Sequence, residues 1–362
     1  MLDASAMLSR HSTGEPFRVP RWLRNRHIQT LGAALRLHAP RPFTPPGSVE
    51  ERIAFSVDDQ DDGDEVIGRA WWHAGIEPRA TALVIHGVGG TSESAYVVRA
   101  ARALHRSGMN VVRVSLRGAG EGLQTARAMY HAGLSDDPRR VVEQLARDAR
   151  VASLVVLGFS LGGNVSLKLA GEWGGDAPTK LAAVAAVSAP LDLVEVSKAL
   201  ERIRTLPYRA WILKGLIGQA TSFARAHPKH VKFDPKRLWR VRTIREYDEI
   251  VVVPTHGFRD AHDYYARSSS GPRLRDIRVP TLLVHAEDDP MVPGATVKPF
   301  FGALPPSVEV AWSDRGGHVG WYAGLDEDRW VDTWAMKSVR RFFEKHLAAR
   351  AASGVVEGDR VL

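Results

Sequence analysis

Apolar residues in this chain come in short bursts, and the stretches between the bursts carry apolar positions at helical spacing. Residues 81–86, 110–116, 153–158 and 181–187 are β-branched or aliphatic runs of strand length. The segments near 93–107 and 137–149, and the stretch following Gly163, have the 3.6-residue period of helices packed on one face. Two further bursts, 280–285 and 308–312, read as later strands, and 328–348 as a closing helix. Alternation of this kind predicts a mostly parallel central sheet with helices on both faces. Ahead of it, Arg52 to Val57 and Val66 to Trp72 alternate as an antiparallel hairpin, joined by the acid-rich turn Asp58 to Asp64, which reads as a solvated tip. Between Ser188 and about Arg278 the alternation breaks, and helical, basic and aromatic segments take over. The expected organisation is an N-terminal arm over 1–50, with one short helix near His27. A core follows over 51–188 and 279–348, with an inserted region over 189–278 and a flexible tail over 349–362.

The turn after the 151–157 strand carries the first chemistry. Gly158-Phe159-Ser160-Leu161-Gly162 places a serine between two glycines where a strand gives way to a helix, the arrangement of a nucleophile elbow. Such a turn lifts the hydroxyl out of the sheet above a helix N-terminus. A serine needs a base to take its proton and a third group to orient that base. Asp289, in the acidic turn Glu287-Asp288-Asp289-Pro290, and His318, in Gly316-Gly317-His318, each follow a later strand, so all three share the carboxyl rim of the sheet. Asp288 is the alternative acid. Read alone, Asp288-Asp289-Pro290 is a capped turn; Gly-Gly-His one strand later favours the catalytic reading. The remaining requirement is a pair of amides for the developing oxyanion. His86-Gly87-Val88-Gly89-Gly90 follows the 81–86 strand and offers Val88, while Leu161 follows the serine. The glycine run lacks the lysine and Ser/Thr of a phosphate-binding loop, and its spacing is not that of a dinucleotide fingerprint.

These stretches resemble the α/β-hydrolase fold, and more narrowly the AB-hydrolase family of medium-chain ester hydrolases, alcohol acyltransferases and lipid-acting homologues. Besides the triad, the resemblance is carried by Leu23-Arg24-Asn25-Arg26-His27-Ile28-Gln29-Thr30, by Asn110 to Gly118, and by Met129-Tyr130-His131-Ala132-Gly133 with Asp137. It extends through Tyr247-Asp248, Thr255-His256-Gly257-Phe258 and Asp263-Tyr264-Tyr265. It implies a serine-dependent carboxylic ester hydrolase acting on short- to medium-chain acyl esters, with residues 189–278 as a helical cap over the site. Acyl transfer to an alcohol, C–C or amide cleavage, and a non-catalytic lipid- or protein-binding role on the same fold are the rival readings. Ser160 at the elbow argues against epoxide hydrolase or dehalogenase chemistry, which needs an acid there. His27 and His131 belong to the resemblance without an assigned task, and buried hydrogen-bonding roles are expected of them. Arg117 is expected to be a structural ion-pair partner.

Composition narrows the setting. The chain has 362 residues and no cysteine, which removes disulfides, thiolate metal sites and a cysteine nucleophile together. No histidine spacing suggests zinc, and neither metal nor cofactor is expected. The first twenty residues have no apolar core of a signal peptide, and no run reaches the length of a membrane span, so the cytoplasm is the default compartment. The net charge is +8, and Lys229, Lys232, Lys236, Arg237, Arg240, Arg242 and Arg245 crowd into the cap. A generic basic surface is the first reading and weak association with an anionic membrane the second. Nucleic acid is not expected, since no aromatic platform or nucleic-acid motif accompanies the charge. Leu206 to Ile217 is amphipathic, and its apolar side either packs within the cap or lines an acyl tunnel or lipid contact.

Overall fold

The computed structural model describes residues 16–35, 37, 43–58 and 63–353. Eight strands form a single sheet: β1 (Ser48–Ser56), β2 (Glu65–His73), β3 (Arg79–Ile85), β4 (Asn110–Ser115), β5 (Val151–Phe159), β6 (Leu181–Val187), β7 (Thr281–Ala286) and β8 (Val308–Ser313). Their spatial order is β1-β2-β4-β3-β5-β6-β7-β8. β2 is antiparallel to both neighbours, and every other pair from β4 to β8 is parallel. The helices are α1 (Arg26–Ala34), α2 (Ala95–Arg106), α3 (Asp136–Arg147), α4 (Leu161–Trp173), α5 (Leu193–Leu200), α6 (Leu206–Ala226), α7 (Ala261–Ser268), α8 (Glu327–Val331) and α9 (Trp334–Ala352). Every residue of β4, β6 and β7 is buried, as expected of strands covered on both faces. One face packs under α3 and α4 through residues such as Val142, Leu145 and Leu167, the other under α2 and α9 through Val98, Leu104, Val339 and Phe343.

The segment between β6 and β7 is helical throughout its regular parts, built from α5, α6, a broken helix over 244–256, and α7. Thr243 and Glu246 form a reciprocal capping box at the start of the broken helix. Its middle, Asp248–Val252, is a π turn that ends two residues before Pro254. Proline has no N–H for the preceding turn and crowds the carbonyl four residues back, so the helix widens there. The widened turn buries Asp248, Val251 and Val252.

Three local expectations are corrected. The closing helix is interrupted between Val331 and Trp334, and its second part runs to Ala352, so residues 349–352 are helical. The remainder of the tail, 354–362, lies outside the described residues, as do 1–15 of the arm and 59–62 of the acidic turn. Asp64 is not part of a solvated tip. It is buried and shares Arg117 with Asp137, while its second oxygen accepts from the Arg127 amide. Arg117 is thus the ion-pair partner expected, binding Asp137 through two nitrogens and tying the β1–β2 connection to α3. No helix among the described residues is long and apolar enough to cross a membrane.

Removing Arg117 leaves two buried carboxylates without their cation. Arg117→Ala is expected to lower unfolding stability by about 3–5 kcal/mol in urea titrations, with Arg117→Lys intermediate. A loss below about 1 kcal/mol would show that this triad is not structural.

Candidate active site

Ser160 sits between the last residue of β5 and the first of α4, with φ 51° and ψ −119°. A side chain in that region costs about 1–3 kcal/mol, so its surroundings must hold it there. Its amide donates to Val187 O at 2.8 Å, and its carbonyl accepts from Asn164 N at 3.0 Å. The flanking glycines are required by close approach. A Cβ on Gly158 would lie 2.3 Å from Gly162 O, and one on Gly162 would lie 2.4 Å from His86 O. Asn164, fully buried, donates to Ala132 O and Ser268 O and accepts from Ser270 N, fastening the elbow helix to the connections around it.

Beyond β7, the two neighbouring acids have different partners. Asp289 Oδ1 accepts from Met291 N at 2.8 Å and Val292 N at 2.9 Å, and its Oδ2 lies 2.8 Å from His318 Nδ1. Asp288 turns the other way and accepts from Gly317 N at 2.9 Å; burial pushes its carboxyl upward. The ring of His318 is therefore paired with Asp289, while Asp288 holds the backbone leading to it. His318 N donates to Thr30 Oγ1 at 2.9 Å, and Val319 N donates to Ser188 Oγ at 3.1 Å. The loop is strained, with φ 58° at Val319 and 61° at Trp321.

Helix α1 is the brace for that loop. Gln29 Nε2 donates to Leu23 O and Tyr322 O, and its Oε1 accepts from Tyr322 N at 2.7 Å. Gly317, at φ 61°, passes so close to α1 that a Cβ would lie 2.6 Å from Arg26 O. His27 Nδ1 lies 2.6 Å from the Tyr208 hydroxyl of α6, linking the arm to the cap. His27 is a hydrogen-bonding residue as expected, but an exposed one; His131 is half-buried, with Nδ1 accepting from Gly133 N. Sequence alone assigns the Asn-x-His-x-Gln-Thr motif no task, because the partner of His27 lies 181 residues away and those of Gln29 and Thr30 lie 293 and 288 away.

The glycine loop after β3 is clamped at two points. Gly87 N donates to the Tyr96 hydroxyl and Gly89 N to the Tyr130 hydroxyl, each at 2.8 Å. Val88 lies between them. Among the described residues no acceptor takes the N–H of Val88 or of Leu161, and Leu161 opens a 13-residue helix whose first amides have no intrahelical partner. Neither tyrosine was singled out for this role from sequence. Behind the loop, His86 Nε2 accepts from Leu116 N at 3.0 Å, so Nδ1 carries the proton and donates to Gly87 O at 2.7 Å. Burial lowers this imidazole to about 4, and the Gly87 carbonyl only partly opposes that.

Ser160, Val88, Met291 and His318 line two cavities at once. The smaller, about 120 Å³, runs beneath the cap between Leu161, Val196, Ile212, Leu216 and Val251. Its one carboxyl among the described residues is Asp248, which accepts from the Tyr265 hydroxyl at 2.6 Å and is pushed up to about 7 by burial. The larger, about 800 Å³, opens between α1 and the start of α6, past Thr30, Leu31, Tyr208 and Trp211. The amphipathic segment thus divides its faces: Ile212 and Leu216 reach the inner cavity, Pro207 and Trp211 the outer one. Among the described residues no group of three or more His, Cys, Asp or Glu could hold a metal.

His86 makes a pH prediction with a definite sign. Its folded value lies below the unfolded 6.5, so the unfolded chain takes up the proton first as pH falls. Its stability contribution is complete above about 6.5 and is lost as pH drops towards about 4, up to about 3 kcal/mol. Urea titrations across that window should show a steeper loss for the parent than for His86→Gln; equal slopes would contradict the assignment.

Comparison with known proteins places the chain. Residues 76–320 match the family described as serine aminopeptidase, S33. YheT of Escherichia coli K12, provisionally named an esterase, is 32% identical over 75% of this chain and 80% of its own length. The medium-chain fatty acid ethyl ester synthase/esterase 2 of Saccharomyces cerevisiae is 28% identical over 73% of this chain and 61% of its own. A solved esterase of Pyrococcus furiosus superposes with a TM-score of 0.55, at 15% identity, over 85% of this chain and 98% of that one, which speaks for the fold alone. With a family match over most of its core and a relative aligned over three quarters of its length, the chain belongs to the S33 family of α/β-hydrolases.

Proposed function

We propose that the protein is a serine-dependent carboxylic ester hydrolase. The observation that carries this reading is the His318–Asp289 pair, 2.8 Å apart and lining, through His318, the same cavities as the strained Ser160. Ser160 Oγ attacks the acyl carbonyl as His318 Nε2 takes its proton, and Asp289 holds Nδ1 protonated and stabilises the imidazolium. The amides of Val88 and Leu161 receive the oxyanion. His318 then returns the proton to the leaving alcohol, and a water activated by the same imidazole releases the acid and frees Ser160. The narrow apolar cavity under the cap suits a short- to medium-length acyl chain, and the wider one suits the alcohol part. The yeast relative's name also covers ester synthesis, and the open outer cavity leaves room for an alcohol to replace water in the second step. An aminopeptidase must pair the substrate's ammonium group. The outer cavity has no carboxyl among its lining residues, and Asp248 in the inner one is engaged by Tyr265 and raised by burial, which favours esters over peptides.

The test is hydrolysis of p-nitrophenyl esters from acetyl to palmitoyl. Activity should peak at one chain length and fall by about 10⁴-fold or more in Ser160→Ala. Asp289→Asn should lose about 10⁴-fold in kcat, and Asp288→Asn less than about tenfold. Equal losses from the two acids would undo the assignment of Asp289, and equal rates from parent and Ser160→Ala would undo the reading itself. Added ethanol yielding ethyl esters in place of free acid would identify acyl transfer as the dominant outcome.

A further inference from the structure

We infer that the mouth of the outer cavity docks on an anionic lipid surface, so that Ser160 receives its ester directly from that surface. The two walls of the mouth, α1 and the start of α6, share an unusual pattern. Ile28 and Leu31 stand at i and i+3 on α1, with Leu35 as the residue that caps its C-terminus, and they are 48%, 59% and 54% exposed. The opposite face of the same helix carries Gln29, Thr30, Gly32 and Ala33, which are buried. The exposed side chains are therefore spare surface, not a misplaced core. On the other wall, Trp211 is exposed and lines the cavity, and the exposed Ile203 (88%) and Leu206 neighbour Arg204 and Pro207, which line it too; Trp22, ahead of α1, is also exposed. Leu31 and Trp211 both line the cavity itself, so the apolar surface is continuous from the rim towards Ser160.

Charge selects the partner. No Asp or Glu occurs between Glu15 and Glu50, or between Glu201 and Asp234, the two stretches that build the walls. They carry Arg18, Arg21, Arg24 and Arg26 on one side and Arg202, Arg204 and Lys214 on the other. Exposed apolar side chains flanked by cations, in stretches that carry no acid of their own, match a bilayer interface: the apolar groups enter the acyl boundary while arginines meet anionic headgroups. A second copy of this chain would bring cations against cations at the same face, and a water-soluble ester needs no exposed apolar side chains to reach the site. None of these cations belongs to the Lys229–Arg245 group, for which a generic basic surface is the first reading and an anionic membrane the second. The inference rests on the ester reading for what is delivered, whereas docking itself requires no turnover.

The test uses the full-length Ser160→Ala protein, sedimented with vesicles of phosphatidylcholine alone or with about 30 mol% phosphatidylglycerol. It should partition onto the anionic vesicles at about 0.1 M salt, stay in solution with neutral ones, and be released at about 0.5 M. Ile28→Ser with Ile203→Ser, and separately Arg24→Glu with Arg202→Glu, should each weaken partitioning by about tenfold or more. Made in the parent with Ser160 intact, the same pairs should hydrolyse p-nitrophenyl acetate at the parental rate, showing that the fold is preserved. Partitioning that ignores lipid charge, is absent from both vesicles, or survives both pairs of substitutions overturns the inference. Anionic partitioning by a protein that fails to hydrolyse any ester would leave the docking surface standing and remove the ester reading.

Discussion

The strained turn at Ser160 is the constraint from which the rest of the site is built. A serine at φ 51° is held only if the chain on both sides is packed without slack, and that is where Gly158 and Gly162 matter. Their missing side chains let α4 seat against the ends of β3 and β5, bringing the Val88 loop beside the serine. The same seating points the N-terminus of α4 towards the place where an oxyanion would form. Any side chain at either glycine would separate helix from sheet and relax the turn that exposes the hydroxyl.

His318 is positioned by a different principle. It lies on a long loop after β8, and loops do not hold a ring to a few tenths of an ångström by themselves. Here the loop is fixed from three sides. Asp289 holds the ring, Asp288 holds Gly317, and α1 holds the His318 amide through Thr30 and the chain beyond it through Gln29. Each bond contributes about 1 kcal/mol, but together they offset the strain at Val319 and Trp321. Gln29 and Thr30 of the N-terminal arm are in this sense part of the framework that positions His318. Through His27 and Tyr208 the arm is also tied to α6, so the brace for the base is hydrogen-bonded to the wall of the cavity.

Much of this was legible in the sequence because it is local. The strand–Ser160–helix turn, the order of serine, acid and histidine, and the alternation that makes the sheet parallel can each be read within a window of a few residues. The strand bursts fall within two residues of the observed strands in the parallel part of the sheet, since a fully buried strand has a strong apolar signature. What could not be read is long-range. Nothing in Gln29 or Thr30 announces a partner near residue 320, and Tyr96 and Tyr130 look like core aromatics until their hydroxyls are seen on Gly87 N and Gly89 N. Asp64 read as a solvated acid because its neighbours are acidic, whereas Arg117, far along the chain, draws it inside. Asp289 is preferred over Asp288 already from the sequence, but the physical reason is tertiary: the fold gives the two adjacent acids different partners, the His318 ring and Gly317 N.

The central claim is that Ser160 is made nucleophilic by the His318–Asp289 pair, and covalent trapping addresses it most directly. Intact-mass spectrometry after exposure to a fluorophosphonate ester should reveal one adduct, mapped to Ser160, that forms rapidly in the parent and is abolished in His318→Ala. An adduct on another residue, or labelling of Ser160 that proceeds equally without His318, would contradict the account.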